Sequence, residues 1–121
     1  MKNLKFLVAA LALSCSTGAL SDSKTFNAKV KNVLVDDSNF AGCMVNLTVD
    51  PQTYLPNCET WWGTMDCLNL FPESTSSISA NKLAQAQLAL ITGKGVRVRI
   101  TDSRKANGYC FVSRIDVNDQ F

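Results

Sequence analysis

Four of the five cysteines, in a chain with no histidine, do most to limit what this sequence can fold into. Cys43, Cys58, Cys67 and Cys110 are separated by 15, 9 and 43 residues. Structural zinc wants tight C-x-x-C pairs, usually with imidazole partners, and neither is present. An even set of cysteines in a small exported chain reads instead as two disulfides. No metal site and no cofactor are expected.

The context for those bridges is an export signal. Lys2 and Lys5 form a basic start, and Phe6–Leu13 is an apolar run too short to span a bilayer. The small residues Ser14–Ala19 follow, so residues 1–19 read as a signal peptide cleaved after Ala19, or alternatively after Ser21. Ala12-Leu13-Ser14-Cys15 also resembles a bacterial lipobox, which makes Cys15 a candidate lipidation site. Residues 22–121 are then one domain, with a secreted or periplasmic location or, for the lipoprotein, an outer-membrane one. Without Lys2 and Lys5 the chain carries ten basic and ten acidic residues. That balance argues against nucleic acid as a partner. No later apolar run reaches a membrane-spanning length.

Along this domain the residue pattern predicts three strands, a helix and two strands. Thr25–Val35 alternates, slips one step at Asn32 and resumes at Val33 and Val35, which predicts a bulge. Asp36–Asn39 is a turn. Phe40–Val49 alternates again, with Cys43, Val45, Leu47 and Val49 on one face, until Asp50-Pro51 stops it. A third strand is expected from about Glu59 to Leu70, with Trp61, Met65 and Cys67 inward and Trp62, Thr64 and Asp66 outward. Residues 79–93 read as a helix capped by Ser77 or Ser79, with Leu83, Ala86 or Gln87, Leu90 and Ile91 on its apolar face and Gly93 as its stop. Strands at Gly95–Asp102 and Tyr109–Val117 close the domain around a turn at Ser103–Gly108.

That order, with a long bulged first strand, matches a mainly β fold: a five-stranded, OB-fold-like Greek-key barrel with its helix between strands three and four. The topology places Cys43 beside Cys67 in the hairpin of strands two and three. Strands three and five run parallel, which places Cys58 beside Cys110. Cys43–Cys67 and Cys58–Cys110 are therefore the expected bridges, and the two other pairings stay open from sequence alone.

Catalytic signals are weak. Without histidine there is no Ser/His or Cys/His pair. Asp36, Asp37, Asp50, Glu59 and Asp66 show no spacing that marks a dyad or a calcium site, so no catalytic residue is assigned. Binding is the expected class. OB barrels bind across the outer face of strands two and three and the loops beside it. The candidates there are Trp62, Tyr54, Asn46, Thr48, Arg104, Lys105 and Asn107, an aromatic surface with hydrogen-bonding neighbours suited to a sugar. Arg97, Arg99 and Arg114 form a separate outward basic set, either balanced by Asp102 and Asp116 or facing an anionic ligand or partner subunit.

Gln85–Ile100, a helix running into Ile-Thr-Gly-Lys-Gly-Val-Arg-Val-Arg-Ile, resembles the corresponding segment of pertussis-like toxin B subunits. The strand–loop–strand with Cys110 in its last strand is similar to the cholera-type B subunits. The resemblance covers about a third of the chain and transfers no sugar-binding residue to a named position. It implies a disulfide-bonded OB barrel that binds cell-surface glycans and self-associates. The expected function is thus an exported, non-catalytic binding module, toxin-B-like and glycan-binding. The alternatives are an envelope lipoprotein or periplasmic protein acting through protein contacts, and a small secreted hydrolase.

Overall fold

The structure is a computed structural model describing residues 22–118. The leader, its two cleavage positions and Cys15 lie outside the described residues. Five strands, β1 (Ser23–Val35), β2 (Cys43–Leu47), β3 (Trp62–Thr64), β4 (Gly95–Ala106) and β5 (Tyr109–Asn118), surround one helix in sequence, α1 (Ser76–Thr92). They close a barrel in the order β1-β2-β3-β5-β4, with β3 and β5 parallel and the other pairs antiparallel. This is the expected OB-fold-like order.

The slip at Asn32 explains how one strand serves two neighbours. Ser23–Lys29 pairs with Thr101–Gly95 of β4, and Val30–Val35 pairs with Leu47–Cys43 of β2, with the register breaking between Val30 and Asn32. An extra residue bends a strand and increases its twist, and here it turns β1 from one partner to the other. Phe26, Ala28 and Val30 point inward as expected. Val33 packs partly on the core, while Val35 is 66% exposed, because the inward pattern ends before the strand does. Val45 and Leu47, then Val96, Val98 and Ile100, then Val112 complete the buried interior. Gly63 faces that interior: a Cβ there would lie 2.6 Å from a Val112 methyl, so only glycine fits.

Both expected disulfides form, with Cα–Cα distances of 5.5 Å for Cys43–Cys67 and 5.4 Å for Cys58–Cys110. Such bridges fit an oxidising compartment.

Several local readings change. The second strand begins at Cys43, because Phe40–Gly42 forms a 3-10 turn with positive φ at all three residues. The third strand shrinks to three residues. Before it, the Asp50 carboxylate accepts hydrogen bonds from the amides of Gln52 and Trp61 and holds Trp61 at φ 68°. Trp61 is therefore 44% exposed rather than inward. After it, the buried Asp66 carboxylate accepts from the Leu70 amide (2.8 Å), the Phe71 amide (2.8 Å) and the Ser74 hydroxyl, winding residues 66–74 into a loop.

The helix starts earlier than expected. Thr75 caps it, accepting from the Ile78 amide, and Ser79 instead donates to the Asp66 carbonyl at 2.8 Å. Gly93, at φ 74°, ends it as expected. Its inward face is partly as expected, with Leu83 packed against the core and Ala86 buried, but Leu90 and Ile91 turn outward. Ser79, Lys82, Ala86 and Ala89 are buried, whereas Ile78, Leu88, Leu90 and Ile91 are exposed, Ile91 by 82%. The helix packs mainly against β5 and β1. Small side chains permit that close approach, and bulky ones are left outside. Lys82, the only charged residue in α1, donates to the Val112 carbonyl at 3.0 Å and lies 4.2 Å from the Phe111 ring centroid. Burial pushes its ammonium pKa down, while the negative charges of Asp66 and Glu73 pull it back up. Finally, β4 extends to Ala106, and the turn reduces to Asn107-Gly108, which supply the two positive φ angles a two-residue hairpin needs.

Candidate functional site

The outer faces of β2 and β3 are covered at one end and open at the other. At the covered end Thr64 is buried, and its hydroxyl donates to the Phe40 carbonyl at 2.8 Å. Met44, cross-strand from Thr64, is buried beside it. At the open end Trp62 lies opposite Asn46, and Asn46 lies opposite Asn32 of β1. Among the described residues, the buried Asn46 side-chain oxygen has no hydrogen-bond partner. A buried amide oxygen without a donor costs free energy, so the Asn46 side chain is the one strained polar group of this row. Trp61 adds its exposed ring, with the Lys31 ammonium 5.8 Å from the ring centroid. Lys31 stands where the β1 register breaks, so the bulge that bends the strand also carries this cation to the tryptophan.

Of the seven residues singled out from sequence, Trp62 and Asn46 are therefore direct cross-strand neighbours. Thr48 follows β2, and its hydroxyl accepts from the Lys29 amide at 2.8 Å, stitching the two chains together. Tyr54 is engaged in stacking on Phe26, with centroids 4.7 Å apart. The hairpin residues are engaged elsewhere. Arg104 pairs with Glu73 at 3.2 Å, Lys105 donates to the Asn57 carbonyl at 3.0 Å, and the Asn107 side chain accepts from the Phe40 amide at 3.0 Å.

That last contact joins the two loops that flank the binding face in OB barrels. The Phe40 and Tyr109 rings meet edge to face at 5.8 Å beside it. In the first of these loops the Asp36 carboxylate accepts from the Ser38 and Asn39 amides, which hold its pKa below the usual carboxylate value.

Sequence reasoning missed Trp61, Lys31 and Asn32. The slip at Asn32 was the available signal for the latter two, since a bulge re-aims side chains. Nothing local marked Trp61, whose direction depends on Asp50, eleven residues away. A groove of about 410 Å³, lined by Gln85, Leu88, Thr92, Lys94, Val117 and Asn118, lies apart from the tryptophans, at the end of α1. Among the described residues there is no cluster of metal-ligating side chains, and no helix is long and apolar enough to cross a membrane. Comparisons with family models, curated proteins and solved structures find no match to this chain.

Proposed function

We propose that this chain is an exported, non-catalytic binding module whose ligand is a glycan, held on the outer face of β2 and β3. The observation that carries the reading is the exposed Trp61 ring with Lys31 beside it, next to the cross-strand row Asn32–Asn46–Trp62. Aromatic faces take the apolar side of a sugar ring, and amides bond its hydroxyls. The resemblance of residues 85–100 to toxin B subunits points the same way. A glycan array probed with the exported protein tests it. Binding to a defined set of glycans is expected, with Trp62→Ala and Asn46→Ala each weakening it about tenfold or more, roughly 1.4 kcal/mol. Absence of signal at millimolar protein would sink the reading.

One observation favours a second reading, action through protein contacts. The outward face of α1 presents Ile78, Leu88 and Ile91 and carries no charge. A second copy can meet that face without burying an unpaired charge. Sedimentation of wild type and Ile91→Lys checks it: a wild-type oligomer that the variant abolishes supports the contact, and a wild-type monomer at 100 µM excludes it.

A further inference from the structure

The outer face shared by β1, β4 and β5 concentrates positive charge in a nearly neutral chain. Arg97 of β4 lies opposite Asp116 of β5, and Arg99 lies opposite Arg114. Lys29 of β1 lies opposite Gly95, one outward position along from Arg97. Directly opposed side chains have Cβ atoms about 5 Å apart, and alternate residues along a strand are about 7 Å apart. Four cations therefore share one open sheet face. Among the described residues, one carboxylate stands between them, Asp116, which meets Arg97 at 3.5 Å and Arg114 at 3.2 Å. Arg99 instead donates from Nε to the Ser113 hydroxyl at 3.0 Å.

Like charges placed directly opposite on a sheet are destabilising, so the Arg99–Arg114 pair has a cost that folding alone does not require. An anion resting between the two guanidinium groups removes it. Planar guanidinium forks suit the paired oxygens of sulfate and carboxylate groups. Ser113 already holds one fork in place, which lowers the ordering cost of binding. The carboxylates that balance the chain's charge, such as Asp36, Asp37, Asp50 and Glu59, sit in other segments.

We infer that this face binds the anionic groups of an acidic polysaccharide, through Lys29, Arg97, Arg99 and Arg114. That the face takes anions stands on its own register and charge. That the polymer is a sugar rests on the glycan reading above. A polynucleotide is the other common polyanion, but it gains affinity from aromatic side chains that stack its bases. The outward positions of β4 and β5 named here offer arginines and no ring.

The probe is heparin, a sulfated polysaccharide, titrated into the exported protein at several salt concentrations. Wild type is expected to bind, with log K falling linearly as log salt rises. The surface double variant Arg99→Gln/Arg114→Gln should weaken binding at least tenfold and make that slope shallower by about two. Its melting temperature without ligand should be unchanged or higher, because a like-charge contact is gone. Heparin should raise the wild-type melting temperature by more than that of the double variant at equal heparin concentration. Arg104→Gln, which alters an arginine elsewhere on the surface, should keep wild-type affinity. Equal binding by wild type and the double variant overturns the anion face, as does an equal loss in Arg104→Gln. Single-stranded DNA of matched charge binding as tightly as heparin overturns the polysaccharide assignment. Trp62→Ala should leave heparin affinity unchanged, so failure here and failure of the tryptophan site are read separately.

Discussion

The barrel has one thin seam, and the Cys58–Cys110 bridge fastens it. β3 meets β5 at one registered pair, Thr64 with Phe111, supported by the Glu59 amide donating to the Gly108 carbonyl at 3.0 Å. β1 and β4, by contrast, pair over seven residues on each strand. Replacing Cys58 and Cys110 with alanine frees a loop spanning 52 residues, and the chain-entropy relation makes that worth about 4 kcal/mol. The same replacement at Cys43 and Cys67 frees a span of 24 residues, worth about 3.5 kcal/mol. A small domain has about 5–15 kcal/mol in all, so either loss is severe. With a urea dependence of about 1.5 kcal/mol per molar, the Cys58/Cys110 variant should unfold about 2–3 M earlier. Hydrogen exchange should show where the loss falls: amides of β3 and the start of β5 lose protection first, while the β1–β4 ladder keeps it. A midpoint shift below about 0.5 M, far under the chain-entropy value, would refute the reasoning. Uniform loss of protection across both seams would refute it too.

Three further outcomes are expected. Gly63→Ala places a methyl 2.6 Å from a Val112 methyl in the closed interior, and overpacking of that kind should cost about 1–3 kcal/mol in urea unfolding. Asp66→Ala strands the amides of Leu70 and Phe71 and the Ser74 hydroxyl; bonds to a charged acceptor contribute about 1.5–3 kcal/mol each, so the loss should reach about 3 kcal/mol or more. Lys82 predicts a pH effect. Its folded pKa lies below the usual 10.5, so between the two values the unfolded chain binds more protons and stability rises with pH. The penalty for its buried charge is full below the folded pKa and vanishes as pH climbs toward 10.5. Unfolding free energies of wild type and Lys82→Met, compared from pH 7 upward, should shift in favour of wild type as pH rises. A pH-independent difference contradicts this.

Much of the site was not readable in advance, for a physical reason visible at particular residues. Trp62 and Asn46 could be placed on one outer face because strand alternation and hairpin order are local properties; that they lie directly opposite is set by register. Trp61 could not be placed, because a carboxylate eleven residues away sets its left-handed backbone. Arg104, Lys105 and Asn107 looked available because their hairpin is polar. Only the fold brings Glu73, the Asn57 carbonyl and the Phe40 amide to them. The helix misled for a related reason. Leu90 and Ile91 were expected on the buried face, but close packing on β5 and β1 fills it with Ser79, Ala86, Ala89, one threaded lysine and the partly buried Leu83.

What the sequence determined by itself is the order of elements, the bulge in β1 and the stop at Gly93, and it favoured the two disulfides that form without excluding the other pairings. Each follows from alternation, glycine conformation or the parity of cysteines along neighbouring strands. What only the tertiary structure decided is which surface is open. Bonds between segments distant in sequence cover Thr64, expose Trp61 and turn Lys82 inward. Alternation had marked Arg97, Arg99 and Arg114 as an outward set, but only cross-strand register sets Arg99 against Arg114 and adds Lys29 from a third strand.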